Sequence, residues 1–590
     1  MTDNFSHSQS FRKPAVVSER GIVSAQHRGA AEVGASVLAQ GGDCIDAVIA
    51  TSFALGALEP WMSGIGGGGT MVLYRAKEKR FEVIDFGMCA PQGLNPADYP
   101  LTGEGAASDL FPWPRVKDDR NLRGPGAVAV PGVVAGMEAA HQRYAKLAWR
   151  DLVMPAAQLA REGLLVDWFT TENIASGARD LRLYESSAAD FLRDGLPPTP
   201  MWGIKDTVRL PRPRYANTLE TLAAQGPRSF YEGEIAECIG REMAAAGGAL
   251  RASDLAAYRV RVSNTLAIPY RNAVVHATPE LTAGPTLAHT LKLLSAWRPE
   301  AAVGSTAGLA TTHGALPDAT AYAAYGRALQ AAYRERLKDM GDADGKRALG
   351  AEHLAPSCTS HFNVVDAEGN MAAVTQTLLS IFGSKFVTPE SGILMNNGIM
   401  WFDPEPGRAN SMAGGKRCLC NYTPVIAAIS APPGASQSAP SAAQPGKKSS
   451  TSDAGKPLVD APSGDVKAGE PLPERFLALG ASGGRRILPA VAQVLSFVID
   501  YGMGLDAAFH TPRIDASEGA TLIGDSRLDA VTQAALAQEF DYLPARLQTM
   551  PMKFACPSAV MRDVDKSGSS VATNSGATEI FQPWADAAAV

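Results

Sequence analysis

The stretch Cys358-Thr359-Ser360-His361-Phe362-Asn363-Val364-Val365-Asp366 constrains this chain more than any other. Polar and apolar residues alternate along it, and it ends in the turn-forming run Asp366-Ala367-Glu368-Gly369-Asn370. β character resumes at Met371-Ala372-Ala373-Val374-Thr375-Gln376-Thr377. Period-2 alternation on both sides of an acidic Gly/Asn turn predicts a β-hairpin. At its head stands Thr359. If a threonine there becomes a chain terminus, it carries a hydroxyl and a free α-amine on one residue. An α-amine titrates at about 7.7–8.0, close enough to neutrality to serve as a base without any histidine.

Before the hairpin, Gly21 to Ala25 reads as a strand, and a helix is predicted from Ala30 to Gln40, stopped by Gly41-Gly42. The segment Ile45 to Leu58 is apolar nearly all round, which predicts a buried helix. Trp61 to Thr70 contains Gly66-Gly67-Gly68-Gly69 and leads into a β pair at Met71–Tyr74 and Phe81–Asp85. The glycines do not form a nucleotide loop: a phosphate-binding loop needs Gly-Lys-Ser/Thr, and a dinucleotide fingerprint runs strand, glycines, helix, whereas here the order is helix, glycines, strand. A close backbone approach is the physical alternative, in a structural turn or a site-lining loop. Helical periodicity follows at Gly132–Tyr144, Trp149–Glu162, Ala216–Ala224 and Ile235–Ala245, with Ser253 as the expected cap of a further turn. A strand at Ala273–Ala277, helices at Thr286–Trp297 and Asp318–Met340, and an irregular linker over 341–356 complete the first part.

Composition narrows the function. With 46% hydrophobic residues, 57 Gly and 40 Pro, the 590-residue chain is a turn-rich globular protein with ample core. A net charge of −6 argues against a general nucleic-acid binder. The first residues are polar, no apolar run is long enough to span a bilayer, and 1–20 reads as a polar tail. Seven cysteines, few and odd in number, suggest reduced thiols and a cytoplasmic protein. Cys418-Leu419-Cys420 lacks zinc-knuckle spacing, so no metal and no other cofactor is expected. Residues 431–472 are Ala, Pro, Ser, Gly and Lys with almost no aromatic side chain, a composition that reads as a disordered insertion between the strands Val425–Ile429 and Arg475–Leu479.

A rival nucleophile appears in Gly480-Ala481-Ser482-Gly483-Gly484, a Gly-x-Ser-x-Gly motif between a strand and a helix at Ile487–Tyr501. A serine elbow needs an acid and then a histidine from later strands. Here Asp500, Asp506 and His510 crowd into the next helix and loop, and the surroundings alternate like an antiparallel sheet. The competing reading is that the two glycines present backbone N–H groups to an oxyanion.

Six ordered blocks carry a resemblance over nearly the whole chain: His27 with the helix to Gly41-Gly42-Asp43; Phe53 to Pro60; Ser63 to Gly69; Thr359 to Asp366; Glu390 to Asn397; and Gly480 to Gly484. The chain resembles the gamma-glutamyltransferases of the N-terminal nucleophile hydrolase superfamily. The resemblance implies an α+β fold, a four-layer αββα sandwich, made as a precursor that cuts itself between Cys358 and Thr359. It implies a large subunit, 21–358, and a small catalytic subunit, 359–590, that stay associated, with a dimer of such pairs left open. Thr359 matches the family's nucleophile, Thr377 the second threonine that supports it by hydrogen bonding, and Gly483 and Gly484 the oxyanion-hole pair. His361, two residues on from Thr359, is expected to be structural.

The chain departs from the family at the substrate pocket. Glycine stands at Gly87 where the family carries a carboxylate-gripping arginine, Trp401 where it carries an acidic residue, and Leu379 where it carries an asparagine. Cys420 and Asn421 replace paired serines. Loss of these charge-assisted contacts predicts weak binding of a zwitterionic gamma-glutamyl group. Asp403 is positioned to reach back toward the site, and Arg485 or Lys385 to meet a carboxylate without an α-amine. The expected activity is therefore hydrolysis of a small carboxylate-bearing amide, oxamate- or glutaryl-like, through an acyl-enzyme on Thr359. The alternatives are a gamma-glutamyltransferase or glutathione hydrolase with a rearranged pocket, a serine hydrolase using Ser482, and a non-catalytic binding protein.

Overall fold

The computed structural model describes residues 10–106, 113–201, 207–298, 316–340, 357–408, 410–431, 473–517, 519–545, 554–564 and 572–590. The 341–356 linker, most of the 431–472 insertion and the first nine residues of the tail lie outside the described residues.

The predicted hairpin forms from Ser357–Val365 and Met371–Ser380. Its turn is closed by Asp366, whose carboxylate accepts from the N–H of Asn370 at 2.9 Å and from that of Cys44 at 3.1 Å. The two strands lie in the middle of a seven-stranded antiparallel sheet, in the order Asp586–Ala589, Ile22–Ala25, Ser357–Val365, Met371–Ser380, Gly68–Arg75, Arg80–Phe86, Arg261–Ser263. The second seven-stranded sheet runs Val16–Ser18, Thr573–Thr578, Cys556–Asp563, Arg475–Ser482, Val425–Ile429, Ala273–Ala277, Leu266–Tyr270. The strands Val425–Ile429 and Arg475–Ser482 are direct neighbours, so the insertion joins two paired strands as expected.

The two sheets pack face to face. Val72, Tyr74, Val365 and Ala373 of the first meet Ile426, Phe476, Ala478 and Val560 of the second in one buried cluster. A helical layer covers each outer face. On the first sheet it includes Arg28–Ala39, Cys44–Leu58 and Trp149–Glu162; on the second, Gly284–Ser295, Ala319–Met340 and Ile487–Ile499. This is the αββα sandwich.

Local chemistry explains the element that carries the first helical layer. Cys44–Leu58 is capped by Asp43, which accepts from Ile45 N at 3.0 Å, while Asp46 reaches back to Asp43 N at 2.7 Å. Every residue of this helix except Leu58 is buried, as its all-round apolarity predicts.

Two expectations need correction, and one strand was not foreseen. The tail is partly built into the fold: Val16–Ser18 is an edge strand, and the Lys13 ammonium donates to the carbonyls of Glu579, Gln582 and Ala585. The helix Ala252–Ala257 starts one residue earlier than Ser253, and its first turn is held by Asp254 accepting from Arg251 N. The C-terminal strand Asp586–Ala589, whose Asp-Ala-Ala-Ala sequence has little β propensity, is recruited by pairing with Ile22–Ala25.

Candidate active site

The register of the central hairpin shifts at Thr359. Cys358 pairs with Leu379 and Ser360 with Gln376, so Thr377 and Leu378 together face Thr359 across a bulge. The bulge is conformationally costly, since Leu379 has φ +91°, a region that side-chain-bearing residues occupy at about 1–3 kcal/mol. Its effect is to gather three oxygens. Thr359 Oγ1 lies 2.8 Å from Cys358 O and 3.2 Å from Thr377 Oγ1, and Thr377 Oγ1 donates to the same Cys358 carbonyl. Leu379 N–H donates to Thr377 Oγ1 at 2.8 Å and fixes it there. Thr359 is only 5% exposed in the uncut chain.

The glycine run belongs to this arrangement. Gly68 and Gly69 pair with Thr377 and Gln376, and a Cβ on Gly67 would collide with the Thr377 carbonyl. Close approach is the reason for the missing side chains, and the loop braces the strand that carries Thr377.

Gly483 (φ +130°) and Gly484 (φ +57°) form the turn between Arg475–Ser482 and the helix Ile487–Ile499. The turn packs against the strand of Thr359. Among the described residues, Ser482 meets none of the partners a serine nucleophile needs: its Oγ accepts from Gln26 Nε2. His510 is turned elsewhere, with Nδ1 on Asp506 O and Nε2 accepting from Lys13 N. Among the described residues, no base lies in hydrogen-bonding contact with Ser482.

His361 lies between the sheets with Nδ1 on Thr375 Oγ1 at 2.9 Å and Nε2 on Asn363 Oδ1 at 3.0 Å. Its ring fills the space that a side chain at Gly480 would take. Burial drives its pKa down to about 3, so it is neutral at working pH, and both nitrogens are engaged. The geometry fits the structural role expected for it.

On the opposite face of the same strand, Ser360 Oγ accepts from Ser63 at 2.9 Å and donates to Glu59 at 3.4 Å. Gln376 joins Ser63 at 3.0 Å and Ser52 at 2.6 Å. Burial pushes the Glu59 carboxyl well above the usual carboxylate range. The sequence reading missed this polar layer. Glu59 lies in the Phe53–Pro60 block, but nothing local shows that a helix end will meet Ser360 some 300 positions away.

The pocket candidates divide. Trp401 and Cys420 fall in one buried apolar cluster with Met88, Leu379, Cys418 and Tyr422. Asn421 accepts from Arg336 Nη2 at 3.2 Å, and Arg336 also donates to Cys420 O at 2.8 Å, so a buried arginine unmentioned by the sequence reading holds this segment. Arg485 is buried with its guanidinium 5.6 Å from the Tyr333 ring centroid. Asp403 does not reach back: its carboxylate caps Glu405 N at 2.9 Å and faces Arg408 at 3.4 Å. Lys385 sits in a tight turn (φ +61°) whose carbonyl accepts from Ser187. At Gly87 a different cation arrives: Arg417 donates to Gly87 O at 3.1 Å and lies 3.6 Å from Asp85. The direction of Arg417 is set by a β-bridge between Cys89 and Arg417 that no local pattern shows.

The thiols of Cys418 and Cys420 point to separate carbonyls, Gly398 O and Leu281 O. The acidic trio Asp43, Asp366 and Glu368 is already engaged, since Arg75 pairs with Asp43 at 2.7 Å and Asn370 donates to Asp366.

Comparison with known proteins identifies the family. The gamma-glutamyltranspeptidase family model matches residues 30–355 and 346–437. The acylase ACY 1 proenzyme of Pseudomonas sp. (strain V22) is 32% identical over 543 residues, 89% of this chain and 88% of that protein. The glutathione hydrolase proenzyme of Escherichia coli (strain K12) is 29% identical over 84% of this chain and 81% of that protein. Among solved structures, the cephalosporin acylase from Bacillus halodurans superposes with a TM-score of 0.76, covering 100% of this chain and 99% of its own at 21% identity, which speaks to the fold. The chain belongs to the gamma-glutamyltranspeptidase family, whose enzymes act on amide bonds.

Proposed function

We propose that this protein is a self-cleaving threonine amidohydrolase, made as one chain and working as two associated pieces, 1–358 and 359–590. The observation that carries the reading is the pair of threonine hydroxyls on one carbonyl, Thr359 at 2.8 Å and Thr377 donating to the same oxygen. In the cut, Thr359 Oγ1 adds to the Cys358 carbonyl carbon while the Thr377 hydroxyl stabilises the growing oxyanion. The Cys358–Thr359 C–N bond then breaks as the nitrogen takes a proton, leaving an ester on Oγ1. Water hydrolyses that ester to a Cys358 carboxylate, a free hydroxyl and a free α-amine. The new amine serves as base for the next acyl transfer, from substrate to Thr359 and then to water. The glycine turn at Gly483 and Gly484 supplies oxyanion donors for substrate.

The favoured substrate is a small amide bearing a carboxylate, oxamate- or glutaryl-like. The apolar cluster around Trp401, with Gly87 lacking a side chain, supports this over a gamma-glutamyl group. A relative named as an acylase is consistent with it. The described cysteines form no disulfide, which supports a reducing compartment, and the proposal places the enzyme in the cytoplasm. Recovery of the enzyme outside the cytoplasm on cell fractionation would overturn that placement.

The test is a time course of the purified chain on a denaturing gel, with N-terminal sequencing of the smaller band. The expected terminus is Thr359, absent in Thr359→Ala. A chain that stays whole yet hydrolyses amides overturns the mechanism. A panel of glutaryl, oxamyl and gamma-glutamyl anilides tests the substrate, and best turnover of the gamma-glutamyl compound overturns that part.

A further inference from the structure

A cavity of about 580 Å³ opens beside the apolar cluster, lined in part by Tyr258, Arg259, Arg261, Leu281, Lys416 and Arg417. Its volume is that of a small-molecule site. Four of these residues are cations. Asp85 lies 3.6 Å from Arg417 and Glu280 3.1 Å from Arg261, whereas Arg259 donates to the neutral carbonyls of Ala256 and Tyr258. The one carboxylate among the described residues of the lining, Asp254, is turned into backbone, accepting from Gln92 N at 2.8 Å and Arg251 N at 2.9 Å. The cavity is therefore net positive while the whole protein is net negative, and a low-dielectric positive cleft concentrates small anions. Tyr258, nearly buried, and Leu281 add an apolar wall, and the Arg417 guanidinium lies 5.6 Å from the Tyr258 ring centroid.

The cavity is tied to the threonines through one side chain. Its lining residue Cys89 follows Met88, whose Cγ would stand 2.7 Å from a Cβ placed on Gly68, and Gly68 pairs in register with Thr377. Methionine is a flexible, adaptable side chain, and Met88 is fully buried between the cavity lining and Gly68. The cavity also straddles the proposed cut, with Tyr258 to Leu281 contributed before Thr359 and Lys416 and Arg417 after it.

From this we propose that the Arg259–Lys416–Arg417 cavity is the subsite for the carboxylate of the amide substrate, with Arg417 the residue that sets specificity. It deepens the amidase reading and rests on it. The carboxylate could belong to the acyl part or to the amine part, and three substrates separate these: glutaryl-p-nitroanilide, N-butyryl-4-aminobenzoate and the neutral butyryl-p-nitroanilide. Arg417→Gln and Lys416→Glu are compared with the wild-type chain through the ratio of kcat/KM for each charged substrate to that for the neutral one. Loss of a charge-assisted contact predicts a fall in that ratio of about tenfold to a hundredfold for one charged substrate, expressed mainly in KM. Which substrate responds identifies the source of the carboxylate.

Ratios within about twofold for both charged substrates overturn the proposal. Should Arg417→Gln fail to fold, the exposed Lys416→Glu carries the test. Calorimetric titration of the full chain with glutarate reads the cavity independently of turnover: binding weakened in Lys416→Glu supports the site, and no binding overturns it. Failure of the wild-type protein to hydrolyse any of the three amides would instead sink the amidase reading.

Discussion

Replacing Thr377 by valine removes one hydroxyl at nearly constant shape, and its consequences follow from two hydrogen bonds. The hydroxyl donates to Cys358 O, the atom that becomes an oxyanion in the proposed attack by Thr359. Removing one such donor costs about 2.7–4 kcal/mol of transition-state stabilisation, or about 10²–10³ in rate. The hydroxyl also accepts from Leu379 N–H at 2.8 Å, so valine leaves a buried donor unpaired at about 1–3 kcal/mol of stability. Self-cleavage should therefore slow by about two to three orders of magnitude in a chain that remains folded. The assay is the appearance of the 359–590 fragment with time, alongside a denaturant melt of the uncut precursor. Thr377→Ser restores the hydroxyl and should recover most of the rate. Cleavage of Thr377→Val at the wild-type rate, with the melt intact, would refute the assignment of Thr377 to the oxyanion.

Three further outcomes are expected. Ser482→Ala should cleave and turn over substrate within about twofold of wild type, losing only the bond from Gln26, worth about 1 kcal/mol, and abolished activity would revive the serine mechanism. Gly480→Ala should destabilise the protein by about 1–3 kcal/mol because its methyl would overlap the His361 ring between two sheets, and an unchanged melting midpoint would contradict that packing. Acid should weaken the fold early. Burial holds His361 at about 3 and His276 at about 4, so below the ordinary histidine value of 6.5 the unfolded chain binds protons that the folded one does not. Stability from each is full above pH 6.5 and falls by about 1.4 kcal/mol per pH unit until the folded pKa is reached. Denaturant midpoints that do not drop between pH 7 and pH 5 would contradict the burial of these neutral rings.

How much was legible depended on the range of the interaction. The hairpin around Asp366–Asn370, the buried helix Cys44–Leu58 and the strand Ala273–Ala277 were readable because alternation, capping and all-round apolarity are local signals. The C-terminal strand Asp586–Ala589 was not, since it becomes a strand only by pairing with Ile22–Ala25 at the other end of the chain. At the site, the resemblance singled out Thr359, Thr377 and the two glycines. It did not show Glu59 under Ser360, Arg336 on Asn421 or Arg417 at Gly87, and it left Asp403 pointing inward when its carboxylate is held by a turn and Arg408.

What the sequence determined by itself was the candidate reacting groups and the scaffold that presents them. A threonine heads an alternating hairpin, and six ordered blocks are characteristic of one family. What only tertiary structure decided was direction. The strand that carries Thr377 is braced by Gly67–Gly69 from far earlier in the chain, and Arg417 turns toward Gly87, so both features require segments distant in sequence to lie side by side. Such contacts are set by pairing register and sheet packing, long-range terms that leave no periodicity in the local residues.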